Sequence, residues 1–368
     1  MKFAVFYEIP VAQPWDPESE WRAYKNTLEQ AQLADKLGFH SVWSVEHHFC
    51  EEFSHCSNPE VLYGAIAATT ENLRIGYGVR LMPQPYNHPV RTAESVAVLD
   101  LMSDGRVEFG TGRSATRVEL EGFGIDPDNT REMWEEALNC VVECWTNDVA
   151  EFHGKYWDLP PRRVIPKPLQ SPHPPLWAAT TSVDGHEVMG RHGLGVCSFT
   201  VGVPPEDLKE RVDLYRYGIS QCTKPIGKFV NNQVATFTMV NCAPTREEAL
   251  AVGGPSFEWY AVESARRIAT LAEWMEEVKH GLADNYTYTN EFLKADRAGK
   301  LDRTTQQLFD TSAGVIGDPD DCIMHAKKYE AAGCDILLCL VNPYDIPHEK
   351  VMQTIELLGK HVIPEFAD

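Results

Sequence analysis

The stretch Leu73–Arg113, LRIGYGVRLMPQPYNHPVRTAESVAVLDLMSDGRVEFGTGR, decides the fold. Leu73–Met82 is apolar with two glycines and reads as a strand. A proline-rich elbow, Met82–Pro89, follows. Val90–Met102 carries Ala93, Val96, Ala97, Leu99 and Leu101 at helical spacing, the signal of an amphipathic helix. Ser103-Asp104-Gly105 stops that helix, and Arg106–Gly112 is extended again. Two parallel strands joined by a crossover helix make a βαβ unit. Such strands display functional loops at their C-terminal ends. Here those ends are Gly78–Met82 and Gly112–Arg113, bare backbone beside an arginine.

The pattern repeats outward. Lys2–Tyr7 is the first strand, Trp21–Leu37 a helix closed by Gly38, and Ser41–Glu46 the second strand, running into Glu46-His47-His48. Helix Pro59–Thr70 precedes the opening unit; helix Thr130–Trp145 follows it. Phe152–Pro175, rich in proline and aromatics, reads as a covering loop (about 152–175). Leu176–Thr180 is a strand leading to helix Asp184–His192. Val196–Thr200, Val234–Cys242 and Ile336–Val341 bring the count to about eight strands. Gly253–Thr311 is mostly helical and charged, and too long for a simple connection; it reads as an insertion or lid (about 253–311). Eight βα units predict one α/β domain over 1–368, a (β/α)₈ TIM barrel with insertions. A doubly wound sheet is the other arrangement this alternation allows.

Lys and Arg number 33 against 54 Asp and Glu, so the net charge is 33 − 54 = −21. That balance argues against a nucleic-acid surface, which needs a clustered basic face. No apolar run approaches the roughly 18 residues of a membrane span, and MKFAVFYEIP reads as a buried strand rather than a signal peptide. The ten cysteines show no CxxC pair or zinc spacing and sit mostly in apolar segments, as buried thiols do in a reducing cytoplasm. No HExxH occurs, and no metal is expected.

On a barrel, the strand ends would gather Glu46, His47 and His48, then Gly78-Val79-Arg80, Gly112-Arg113 and Thr180-Thr181-Ser182 on one rim. His47 and His48 are adjacent, so on an extended chain they point to opposite sides; a histidine titrates near neutrality and exchanges protons. Thr181, Ser182 and the following helix N-terminus can hold an anion such as a terminal phosphate, or Ser182 can be a plain N-cap. Arg113 would add a charged fork.

With these residues assembled, the chain resembles the bacterial luciferase-like family of flavin-dependent oxidoreductases. The likeness runs through MKFAVF at the start, GFHSVWSVEHHF at 38–49, NPEVLYGAIAATTENLRIGYGV at 58–79 and HPVRTAESVAVLDLMSDGRVEFGTGR at 88–113. It continues in FGIDP at 123–127, PPLWAATTS at 174–182 and GDPDDCIMHAKKYEAAGCDILLCLV at 317–341. EHHF and LD-x-x-S-x-GR together carry most of its specificity. The resemblance implies a (β/α)₈ barrel binding FMN, or in other branches the deazaflavin F420, at its mouth. It implies His47 as the active-site histidine, with Glu46 beside it. Gly78–Val79 would be a bulge where a non-prolyl cis peptide packs against the flavin ring. Arg113, Thr181 and Ser182 would meet the phosphate, with Ala115 and Gly185 as backbone donors. Arg117 is a further candidate for the phosphate. Where luciferase has a reactive cysteine before the arginine, this chain has Gly112, which argues against light emission.

The activity implied is monooxygenation of a small organic substrate by reduced FMN and O2 through a C4a-hydroperoxyflavin, with FMNH2 supplied by a separate flavin reductase. The alternatives are F420-dependent hydride transfer and a non-catalytic flavin-binding partner subunit. Trp157, Trp259 and Trp274 are candidates to cover the dry pocket such chemistry needs. A homodimer is expected through helices Pro59–Thr70 and Val90–Met102, whose small residues Gly64, Ala65, Ala67, Ala68, Ala93 and Ala97 allow close approach.

Overall fold

A computed structural model describes residues 1–199, 201–279, 286, 289 and 304–366. Eight parallel strands close on themselves: β1 (Lys2–Tyr7), β2 (Ser41–Ser44), β3 (Arg74–Tyr77), β4 (Val107–Gly112), β5 (Leu176–Thr180), β6 (Gly195–Ser198), β7 (Val234–Cys242) and β8 (Ile336–Leu340). Each pairs with the next in order, and β8 returns to β1 with Phe3 opposite Leu337 and Val5 opposite Cys339. The expected TIM barrel is therefore present, and the doubly wound alternative is excluded by closure. Both faces of a barrel strand are covered, so these strands are nearly continuous apolar runs rather than alternating ones.

The interior is filled in layers. Trp43 and Trp177 meet edge to face at 5.5 Å, and Trp177 Nε1 donates to Glu108 Oε2 at 2.7 Å, satisfying a polar atom that burial would otherwise penalise. Nearer the mouth, Phe6 packs against Phe199 and Phe237, at 5.6 and 5.1 Å.

The opening unit behaves as its sequence predicts, with one refinement. Helix α3 (Pro89–Met102) starts with Pro89 in its first turn, and Asp104 and Gly105 follow it with φ of +54° and +78°. (Helices α1, Ser19–Lys36, and α2, Pro59–Thr69, precede it.) Arg106 then locks the joint: Nε donates to Ser103 O, Nη1 to Leu73 O, and Nη2 to Ala67 O at the end of α2. Asp100, fully buried, accepts from Gln170 N and Nε2, both at 2.8 Å. The polar residues of LD-x-x-S-x-GR thus hold helix to strand. The single strand expected over Leu73–Met82 is broken instead. Gly76 faces Glu108 and Arg80 faces Thr111, so one extra residue bulges out between them, as a β-bulge does. The Gly78–Val79 peptide within the bulge is cis.

Further helices are α4 (Arg117–Gly122), α5 (Thr130–Thr146), α6 (Val183–Arg191), α7 (Pro205–Ser220) and α8 (Arg246–Lys279). The 152–175 stretch is not wholly loop: Ala150–His153 and Asp158–Arg162 pair as an antiparallel hairpin. Within 253–311, α8 occupies the first part and helix Thr305–Asp310 the last; 280–285, 287–288 and 290–303 lie outside the described residues. No helix among the described residues is long and apolar enough to cross a membrane.

Candidate active site

At the C-terminal ends of the strands lies a cavity of ≈ 240 Å³, where barrel enzymes assemble their sites. Two arcs form its wall. The first, from β3 to β5, offers backbone and hydroxyls: Gly78, Val79, Gly112, Arg113, Ala115, Thr181 and Ser182 all line it. The second runs from Glu8, at the end of β1, to α8, and is built of Phe53, Phe237, Tyr260, Ser264, Arg267 and Ile268. Glu46 and His47 stand at the seam between them.

On the first arc, Arg113 is held in place. Its guanidinium lies over the Tyr286 ring at 4.5 Å from the centroid, and Nη1 donates to Thr130 Oγ1 at 3.2 Å; the ring stack is a favourable cation–π contact. Tyr286 Oη in turn donates to Ser114 O at 3.0 Å. Ser182 caps α6, accepting from Gly185 N at 3.1 Å. Gly185 itself does not line the cavity, and its N–H is engaged in that cap, so the phosphate donor role expected of it is taken by a structural bond. The space beside Gly112 is occupied: an added Cβ would stand 2.4 Å from Val79 Cγ2. A cysteine in that position would displace Val79, which accounts sterically for the glycine.

At the seam, the carboxylate of Glu46 is spent on the scaffold. Oε2 accepts from Leu81 N at 2.9 Å and Oε1 from Asn87 Nδ2 at 2.8 Å. His48 turns away from the cavity toward Glu46 and packs edge-on against Phe123. His47 faces in. Its Nδ1–H donates to Glu119 Oε1 at 2.9 Å, and its Nε2 lies 3.7 Å from Glu8 Oε2.

Glu119, on α4, is completely buried yet well satisfied. Ser114 Oγ and Thr116 Oγ1 each donate to its Oε2 at 2.6 Å, and His48 N donates to Oε1 at 3.0 Å. Burial alone would push the His47 imidazole down. The Glu119 charge and hydrogen bond, with Glu8 adding to them, outweigh burial and hold it up at about 9. Glu119 is lowered below its ordinary range, burial being overcome by His47 and the two hydroxyls. His47 is therefore an imidazolium at neutral pH.

On the second arc, burial raises the Glu8 carboxyl, against the opposing pull of His47, Tyr260 Oη and Arg267. Tyr260 Oη donates to Glu8 Oε1 at 2.9 Å, while Oε2 has no hydrogen-bond partner. Arg267 covers the Phe53 ring at 4.2 Å and donates to Cys50 O at 3.0 Å. His47, Cys50 and Glu119 bring three metal-capable atoms within 4.8 Å, but the first and last are bonded to each other and Cys50 Sγ donates to His48 O.

Arg117 pairs along its own helix with Glu121 at 2.9 Å and takes no part in the cavity. None of the three tryptophans lines it either. Trp157 packs on His88, Trp259 stacks on Tyr344, and Trp274 joins a separate apolar cluster with Leu271 and Met275. The residues that do cover it were not singled out from sequence. Glu119 carried a signal, since Thr116-x-x-Glu119 has capping-box spacing. Glu8 had one too: it follows the first strand as Glu46 follows the second.

Comparison with known proteins then decides the family. The model of the luciferase-like monooxygenase family matches residues 1–335. The chain belongs to that family. It is accordingly an oxidoreductase. The oxygenase component of the flavin-dependent trigonelline monooxygenase of Acinetobacter baylyi is 24% identical, over 100% of this chain and 96% of that protein. The oxygenating constituent of 3,6-diketocamphane monooxygenase from Pseudomonas putida, solved with FMN, superposes with a TM-score of 0.77 at 21% identity, covering 99% and 98% of the two chains. An F420-dependent secondary alcohol dehydrogenase superposes at 0.72 and 18% identity, covering 100% and 99%. These two structures bear on the fold.

Proposed function

We propose that the chain is the cytoplasmic oxygenase component of a two-component monooxygenase, taking FMNH2 from a separate flavin reductase and using O2 to oxygenate a small organic substrate. One observation carries this reading: His47, hydrogen-bonded to the buried Glu119 carboxylate, faces a cavity whose opposite wall gathers Arg113, Thr181 and Ser182.

The fit to FMN rests on chemistry already described. Arg113, Thr181 and Ser182 converge on one rim with the N-terminus of α6, a donor set matched to a phosphate. Ala115 contributes backbone on the same rim. Val79 packs its side chain toward Gly112, and Gly78 and Val79 line the cavity, where a flavin ring would lie against them. Reduced FMN, when bound, supplies the electrons that activate O2 for transfer of one oxygen atom. His47 holds a proton at Nε2 and delivers it where negative charge develops; Glu119 fixes the ring and keeps it charged. Glu46 braces the β3 bulge through Leu81 N. Tyr260 and Ile268, on α8, exclude water from the chamber.

Titration of the purified chain with FMN and with F420, followed by turnover with an added flavin reductase, tests the reading. Tight FMN binding and oxygen-dependent product support it. Preferential F420 binding with oxygen-independent turnover makes the chain a hydride-transfer enzyme, and flavin binding without product makes it a non-catalytic partner subunit.

The same reading includes a homodimer through α2 and α3, on the face that these helices turn outward. Ala67, Ala93 and Ala97 are buried against the barrel, whereas Ala65, Ala68, Val61, Val98, Leu101 and Met102 on α2 and α3 face outward. Sedimentation of wild type and Leu101→Asp decides it: a dimer that the substitution dissociates supports this face.

A further inference from the structure

The oxygenase reading makes the second arc a substrate wall, and one atom on it is unexplained. Glu8 is 4% exposed, and its Oε1 is paired with Tyr260, yet its Oε2 has no hydrogen-bond partner and its side chain lines the cavity. The polar neighbour of Oε2, His47 Nε2, stands at 3.7 Å, beyond hydrogen-bond reach. A buried carboxylate oxygen without a hydrogen bond costs free energy, so a group that completes it on binding is favoured there. We propose that Glu8 is the specificity-determining anchor of the substrate chamber, accepting a hydrogen bond from a neutral hydroxyl carried by an aromatic substrate.

The surroundings define that class. Beside Glu8, Phe53 and Tyr260 lie nearly parallel at 5.1 Å, Phe237 adjoins Tyr260 at 5.9 Å, and Phe199 adjoins Phe237 at 5.7 Å. This continuous run of rings offers faces and edges to another ring. The donor is neutral because a positive charge already stands beside that oxygen. Glu8 Oε2 faces His47 Nε2 at 3.7 Å, so a cationic group seated on it would lie against the imidazolium, while Arg267 is paired with Glu263 at 2.6 Å. What is missing is a single hydrogen bond, and a phenolic O–H supplies one. Oriented this way, the ring carrying the hydroxyl is held against the aromatic wall beside His47, at the seam between the arcs.

The proposal depends on the oxygenase reading, and the experiment separates the two. Binding of 2-naphthol and of its methyl ether, 2-methoxynaphthalene, is followed by naphthyl fluorescence on the full chain, and FMN binding is measured on the same preparation by flavin fluorescence. Wild type should bind 2-naphthol about tenfold more tightly than the ether, the value of one charge-assisted hydrogen bond. Glu8→Gln, which can turn its amide NH2 toward the cavity in place of an acceptor, should bring the ratio close to one while FMN affinity and melting temperature hold. Equal affinities in wild type overturn the anchor, and that comparison decides even if Glu8→Gln fails to fold. A ratio that persists in folded Glu8→Gln also overturns it. If wild type binds naphthol selectively but not FMN, the anchor stands and the oxygenase reading falls.

Discussion

The two arcs of the cavity hold their polar groups differently. Between β3 and β5 the functional elements are glycines, hydroxyls and an arginine, all close to the ends of strands; Ser182 is fixed locally by Gly185 N, whereas Arg113 rests on Thr130 and on the distant Tyr286 ring. Between β1 and α8 the contacts join residues far apart in the chain, as when Tyr260 reaches Glu8. A cofactor common to a family requires a fixed cradle, and strand ends provide one. A substrate wall built on a helix after β7 can change while the cradle stays. His47 is where the two must cooperate.

Breaking the seam should have the largest effect. His47→Ala is expected to lower product formed per FMNH2 consumed by about 10²–10⁴, with hydrogen peroxide rising in its place and FMN affinity unchanged. Stopped-flow consumption of FMNH2 with product and peroxide assayed together measures this. A loss of FMN affinity instead would assign His47 to the flavin arc.

Glu119→Gln comes next, and its effect is pH-dependent. Its partner His47 has a folded pKa of about 9, above the ordinary value of 6.5, so the folded state binds the proton more tightly than the unfolded chain. The resulting stability is fully present below pH 6.5 and is lost as pH rises through about 9. Wild type should therefore exceed Glu119→Gln by about 3 kcal/mol at pH 6, narrowing by pH 9.5 to the part owed to the Ser114 and Thr116 bonds. Denaturant midpoints across that range check it; a gap that widens with pH contradicts the imidazolium.

On the flavin arc alone, Arg113→Ala should weaken FMN binding by about 10- to 100-fold, the loss of a charge-assisted contact, and leave riboflavin binding nearly untouched. Equal losses for the two would make Arg113 a structural partner of Tyr286 rather than a phosphate ligand. The smallest effect is steric. Gly112→Ala must move Val79, and is expected to cost roughly 1 kcal/mol of stability with a modest loss of FMN affinity, both measurable by thermal melts and flavin titration.

The barrel was readable because parallel strands covered on both faces leave continuous apolar runs, and Leu73–Arg113 shows two of them with their helix and its stop. The gathering of Arg113, Thr181 and Ser182 on one rim of the cavity was readable for a related reason: strand ends are local, so these residues follow once the strands are found. The second arc was not. Tyr260 and Arg267 lie in a charged, mostly helical stretch without a motif, and their meeting with Glu8 depends on the barrel closing. The three candidate tryptophans follow their other reading, ordinary packing: a large ring is more useful there than at a cavity edge, as Trp259 on Tyr344 illustrates at 3.6 Å. Gly185 is a different case, since a helix N-terminus that caps itself spends the donor it was expected to lend.

The wall residues Tyr260, Ser264, Arg267 and Ile268 fall at i, i+4, i+7 and i+8 of one continuous helix, which sets how this chamber can evolve. Single substitutions on that stripe alter one contact and leave the others in register. Insertion of one residue ahead of Trp259 would turn the stripe by about 100°, bringing Trp259, Glu263, Arg266 and Arg267 to the four wall positions and separating Tyr260 from Glu8. New specificities on this scaffold are therefore reachable by point changes along a single helical line, and a combinatorial library at 260, 264 and 268 with α8 kept at constant length samples that route directly.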